Sequence, residues 1–162
     1  MRKYFFHWSI LGLGLLGWSS CGKKEIEQPS EPLFELKTPE QTGLLFENRL
    51  ISTPEINILE YLYFYNGGGV AAGDIDQDGL IDLYFSGNQV PNKLFRNRGN
   101  FQFEDITQSA GVSGDGGWST GVTMADVNGD DMLDIYVCQV GDYGAIKGQN
   151  KLYINQGGGK FK

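Results

Sequence analysis

The sequence predicts an all-β chain built as a partial β-propeller of about two four-stranded blades. Three observations carry this. An acidic stretch, Asp74-Ile75-Asp76-Gln77-Asp78-Gly79-Leu80-Ile81-Asp82, returns fifty-two residues later as Asp126-Val127-Asn128-Gly129-Asp130-Asp131-Met132-Leu133-Asp134. The flanking runs, such as Leu83-Tyr84-Phe85 and Ile135-Tyr136-Val137, are short, β-branched or aromatic, and set among glycines, as strands are. Each copy offers about four such runs, and a four-stranded unit with a period near fifty buries its faces only against neighbouring units of the same kind.

Residues 1–20 read as a secretory leader. Arg2 and Lys3 precede an apolar run from Tyr4 to Trp18, shorter than the roughly 20 residues of a membrane span. The run ends at Trp18-Ser19-Ser20-Cys21-Gly22, which resembles a bacterial lipoprotein signal and makes Cys21 the expected lipidation site, although Trp18 stands where such signals carry an aliphatic residue. The resemblance implies an exported protein, anchored by lipid at the outer membrane or cell surface, with a periplasm-facing orientation also open. Residues 21–41 hold Pro29, Pro32 and Pro39 among Glu, Lys, Ser and Thr, the composition of a flexible tether.

Charge and chemistry narrow the function. The formal net charge of −7 becomes −9 when Arg2 and Lys3 leave with the leader, which argues against a nucleic-acid partner. The single histidine, His7, leaves with it, so the mature chain cannot run a Ser-His-Asp or Cys-His mechanism. With Cys21 lipidated, Cys138 has no disulfide partner, and its strand setting suits a buried thiol. The chain is expected not to be an enzyme.

Residues 42–68 are dense in apolar side chains, ending in Tyr61-Leu62-Tyr63-Phe64-Tyr65. The spacing over Ile56 to Leu62 fits a helix as well as a strand, and the aromatic cluster favours an N-terminal strand segment. The first repeat blade spans 69–117. It continues from its acidic loop through Asn92-Lys93-Leu94-Phe95-Arg96-Asn97 to Phe103-Glu104-Asp105-Ile106-Thr107. The second spans 118–162 and carries Asn150-Lys151-Leu152-Tyr153-Ile154-Asn155, displaced by fifty-eight residues, so six extra residues fall near Gly141 to Gly148. Its last strand is expected to be cut short, as in the N-terminal piece of a longer protein. Trp118 is expected in blade packing.

The acidic loops have the spacing of a cation site. Oxygen donors at positions 1, 3 and 5 with a backbone carbonyl at 7 wrap a hard cation such as calcium. These positions are Asp74, Asp76, Asp78 and the Leu80 carbonyl, then Asp126, Asn128, Asp130 and the Met132 carbonyl. Gly79 holds position 6, where a left-handed backbone is cheapest for glycine, and Asp131 replaces it in the second copy. An EF-hand does not fit. Its twelfth position should be a bidentate Glu, but here it is Phe85 or Val137, and the last acid comes early as Asp82 or Asp134. A metal-free Asp- and Gly-rich hairpin turn is the alternative, opposed by the mutual repulsion of four carboxylates in nine residues.

The run Gly69-Val70-Ala71-Ala72-Gly73 with its acidic loop, Asn92-Lys93-Leu94-Phe95-Arg96-Asn97 and Phe103-Glu104-Asp105-Ile106-Thr107 closely resembles the FG-GAP or VCBS repeats. The variant with Ala110-Gly111-Val112 and Trp118-Ser119-Thr120-Gly121-Val122 is similar to the cartilage acidic protein and UnbV-type group. The resemblance covers about residues 46 to 162. It implies two Ca2+ ions, one bound by Asp74, Asp76, Asp78, the Leu80 carbonyl and Asp82, the other by Asp126, Asn128, Asp130, the Met132 carbonyl and Asp134. Four carboxylates against three among these positions predict tighter binding at the first loop. The function implied is a calcium-stabilised binding scaffold of an exported lipoprotein, with a protein or glycan ligand and a lipid contact with the membrane. The alternative is a non-catalytic N-terminal part or subunit of a surface carbohydrate-active enzyme.

Overall fold

The computed structural model describes residues 32–162. The leader, Cys21 and most of the expected tether therefore lie outside the described residues. Two antiparallel sheets account for the strands. The first runs in sequence order through β1 (Val70–Gly73), β2 (Asp82–Phe85), β3 (Lys93–Asn97) and β4 (Phe103–Asp105). The second holds β5 (Ser119–Ala125), β6 (Asp134–Gln139) and β7 (Lys151–Tyr153). An isolated bridge between Asn155 and Phe161 stands where a fourth strand would continue.

The repeat seen in the sequence is a repeat in register. In the first sheet Leu83 faces Phe95, Tyr84 faces Leu94 and Phe85 faces Lys93. In the second, Ile135 faces Tyr153, Tyr136 faces Leu152 and Val137 faces Lys151. The displacements of fifty-two and fifty-eight residues thus superimpose the same ladder. The acidic stretches join the first two strands of each sheet, which puts both at corresponding corners.

The two sheets are held together across β1 and β5. A Cβ added to Gly69 would lie 2.9 Å from the Gly121 Cα, and one on Gly73 would meet Leu133 Cδ1 at 2.6 Å. Close approach of the backbones therefore requires glycine at position 69, just ahead of β1. Between the sheets, Ile75, Tyr84, Leu94, Ile106, Ala110, Val112, Ile135 and Val137 form one buried cluster. Period-two alternation decides which side chains enter it: Tyr84 and Leu94 point in, while Leu83 and Phe85 lie on the other face. The Tyr84 hydroxyl donates to the Val112 carbonyl at 2.7 Å, so the deepest phenol in this core is satisfied.

Residues 42–68 correct the expectation of a strand segment, since no strand forms there. Asn57 is the local cause. Its side-chain oxygen accepts from the Leu59 and Glu60 N–H groups, and its amide donates to the Thr53 and Pro54 carbonyls. This competition for the backbone turns the chain, and helix-like bonds follow from Tyr61 N–H to the Asn57 carbonyl and from Phe64 N–H to the Tyr61 carbonyl. Three-residue spacing then sends Tyr61 and Phe64 to the same side. Both contact Trp118, with ring centroids 5.6 and 5.5 Å apart, in a second buried cluster completed by Ile146. Ile146 belongs to the six-residue insertion of the second repeat, which is thereby used in packing. The same segment covers the far face of the first sheet by stacking Phe46 on Phe85 at 5.1 Å.

Ahead of this segment, α1 (Pro39–Thr42) runs across the expected end of the tether. It carries a reciprocal capping box between Thr38 and Gln41. A second single turn, α2 (Thr107–Ala110), leads from β4 into the link between the sheets. Cys138 is half-buried, less enclosed than its strand setting implied.

One ion pair ties that link to the second sheet. Lys151 Nζ lies 2.5 Å from an Asp115 carboxylate oxygen, and this bond, with donation from Gln139 and the Gly117 N–H, brings the Asp115 pKa down to about 2 against the cost of partial burial. A depressed carboxyl contributes stability above its unfolded pKa of 3.8 and loses that contribution as pH falls through about 2. Because Asp115 is half-exposed, the expected effect is below about 1 kcal/mol. Melting temperatures of wild type and Asp115→Asn should therefore differ slightly above pH 3.8 and converge as pH falls to about 2.

Candidate metal centre

Each acidic loop begins with an aspartate that organises its backbone. The Asp74 carboxylate accepts from Asp78 N–H at 3.1 Å and Gly79 N–H at 2.8 Å. Asp126 does the same more extensively, accepting from Asn128, Gly129, Asp130 and Asp131 N–H groups. These four bonds lower the Asp126 pKa, with the Asp131 N–H the largest cause. At position 5, Asp78 accepts from Leu80 N–H and Asp130 from Met132 N–H, both as Asx turns.

Both loops reverse by the same backbone device. Positions 4 and 6 are left-handed in each copy: Gln77 and Gly79 at φ +60° and +85°, Gly129 and Asp131 at +80° and +66°. Asp131 therefore adopts the conformation that the glycine supplies in the first loop. Gly79 has no neighbour that a Cβ would meet, so its role is conformational. Gly79→Ala is expected to cost about 1–2 kcal/mol, and Asp131→Gly to gain up to about 1 kcal/mol, in denaturant melts without added metal.

The first loop brings three carboxylates together. Asp74, Asp76 and Asp78 each place an oxygen within 4.8 Å of the others, and no other such cluster of three occurs among the described residues. Ligands about 2.3–2.6 Å from one calcium ion are at most roughly 5 Å apart, so this spacing fits a shared cation. Asp76 Oδ1 adds a second sign of fit, being buried without a hydrogen-bond partner. Leu80 follows the left-handed Gly79 and is half-buried at the seventh position, as Met132 is after Asp131.

Asp82 is placed differently from the trio. It is fully buried, and its two oxygens accept from Ile75 N–H at 3.0 Å and Asn97 N–H at 2.8 Å. Burial, with the nearby charges of Asp76 and Asp78, raises its pKa despite those two donors. Asp134 repeats the arrangement with Val127 N–H at 3.0 Å and Asn155 N–H at 2.8 Å. Each aspartate thus latches the acidic loop to the end of the third strand. Asn97 and Asn155 complete the latch by donating their amides to the Ile81 and Leu133 carbonyls.

In the second loop the polar groups satisfy one another. Asn128 donates from its amide to Asp130 Oδ2 at 2.9 Å, and its oxygen accepts from Asp130 N–H at 3.0 Å. The first loop has a different partner at this place. Arg96, on β3, sets its Nε 2.9 Å from Asp76 Oδ2, with both side chains largely buried. The pair is close but out of hydrogen-bonding alignment, since Arg96 Nε has no hydrogen-bond partner. Sequence reasoning missed Arg96, Asn97 and Asn155 as parts of the site. Their signal was the third-strand motif: asparagine recurs at its end, while arginine in one copy is Ile154 in the other.

The fold and these corners define a class of protein made from repeated antiparallel units, each opened by an acidic loop. Residues 74–137 match the family of the FG-GAP-like repeat, and the chain carries such a repeat. It is similar to cartilage acidic protein 1 of Homo sapiens, with 37% identity over 91 residues, or 56% of this chain and 13% of the relative. The same protein of Mus musculus is 36% identical over 88 residues, and that of Xenopus tropicalis 35% over 91. The chain thus corresponds to 13% of the length of each of these relatives.

Proposed function

We propose that this chain is a calcium-stabilised repeat module that acts as a binding scaffold for a protein or glycan, without catalytic activity of its own. The observation that supports it most is the first acidic loop, where three carboxylates converge at a turn the fold repeats and one of them, Asp76, keeps a buried oxygen without a hydrogen-bond partner. Asp74, Asp76, Asp78, the Leu80 carbonyl and Asp82 hold one Ca2+, and Asp126, Asn128, Asp130, the Met132 carbonyl and Asp134 hold the other. A bound dication supplies charge neutralisation and fixes the loop, a structural rather than a chemical role. Asp82 and Asp134 act mainly through their latch to the backbone. Export and lipid attachment at Cys21 place the module at the outer membrane or cell surface.

Calorimetric titration of the full chain tests the metal, and two calcium ions per chain are the expected stoichiometry. Failure to bind calcium would leave the loops as self-bonded turns. The anchor is tested separately by incorporation of a labelled fatty acid, expected in wild type and lost in Cys21→Ala.

A further inference from the structure

We propose that Arg96 is a built-in counter-cation of the first loop, which weakens its grip on calcium and brings the two sites to similar affinity. The inference rests on the reading of the loops as calcium sites and concerns how that affinity is set.

Two differences between the repeats occur together. Position 3 of the acidic loop is Asp76 in the first copy and Asn128 in the second, and the third-strand position is Arg96 in the first and Ile154 in the second. The shared ladder and the shared bonds of Asn97 and Asn155 place Arg96 and Ile154 in the same structural position. The extra negative charge and the extra positive charge therefore arrive as a pair, and they meet at 2.9 Å. Asn128, lacking a charge to balance, turns its amide to Asp130 instead.

The geometry divides the Asp76 carboxylate. Its Oδ2 faces the guanidinium, while its Oδ1 is buried and unpartnered, free to ligate. Arg96 also reaches the second repeat, where a Cβ on Gly159 would collide with its Nη2. A guanidinium held beside a dication in a partly buried setting repels it, and this outweighs the benefit of orienting one carboxylate. Counting carboxylates alone makes the first loop the tighter site. Counting Arg96 as well removes one unit of that advantage.

Calcium titrations followed by NMR at the Gly79 and Gly129 amides give one reporter in each loop of the intact chain. In wild type the two midpoints are expected to be similar. In Arg96→Ile the Gly79 midpoint should fall about tenfold or more, equivalent to about 1.4 kcal/mol, while that of Gly129 stays unchanged. Arg96→Lys, which keeps the charge, should remain close to wild type, and Arg96→Gln supplies the neutral variant if isoleucine prevents folding. A Gly79 midpoint that stays or rises in the neutral variants overturns the role of Arg96, as does an equal gain in Arg96→Lys. Absence of a calcium response at both glycines in every protein overturns the calcium reading beneath it.

Discussion

Removing calcium is expected to lower the melting temperature of the chain by on the order of 15–20 °C. A ligand that binds only the folded state at one hundred times its dissociation constant adds about 2.7 kcal/mol, and two such sites add about twice that. For a domain of this size, each kcal/mol corresponds to roughly 3 °C. The effect is large because, ahead of the Asp82 and Asp134 latches, the first eight positions of each loop contain little else to hold them. Apart from Ile75, Asp82 and Asp134 their residues are half-buried or exposed, and the bonds that Asp74 and Asp78 accept are short-range turns that do not replace a cation at the centre of the acidic trio. Magnesium should restore little of the loss, since it demands a smaller, stricter octahedral shell. Differential scanning calorimetry with chelator, calcium and magnesium in turn measures this directly.

Asp82→Ala is expected to destabilise the chain by about 3–5 kcal/mol even in chelator. The substitution strands the Ile75 and Asn97 N–H groups, both of which donate to Asp82 at a fully buried position. Each unsatisfied buried donor costs about 1–3 kcal/mol, offset in part because the carboxylate itself is held there at a desolvation cost. Asp78→Ala makes the contrast. Asp78 is exposed and accepts only from Leu80 N–H, so its loss in chelator should stay below about 1 kcal/mol. In calcium both variants lose metal-dependent stability. Urea melts of the two variants, with and without calcium, therefore separate the latch from the cation contacts.

How far the fold is legible in the sequence follows from the range of the interactions. The repeated acidic loops, their left-handed sixth positions and the strands that follow are local, and spacing alone locates them at Gly79, Asp131, Leu83 and Ile135. Asp82 and Asp134 are legible as acids at the ninth position. Their latch to Asn97 and Asn155 is not, because the donors come from the third strand. Residues 42–68 defeat pattern reading for a different reason. Their apolar spacing fits two periods, and a single asparagine, Asn57, decides the matter by taking over nearby backbone bonds. Arg96 is visible only when the two repeats are aligned and the paired change at Asp76 is noticed.

The role proposed for calcium at the two repeated loops is that of a structural staple. Hydrogen–deuterium exchange of the full chain with calcium and with chelator tests it most directly. Calcium should slow exchange in both the Asp74–Asp82 and Asp126–Asp134 windows, and in the rest of the first buried core only to the extent that global stability rises. Exchange in both windows that is indifferent to calcium would contradict the account.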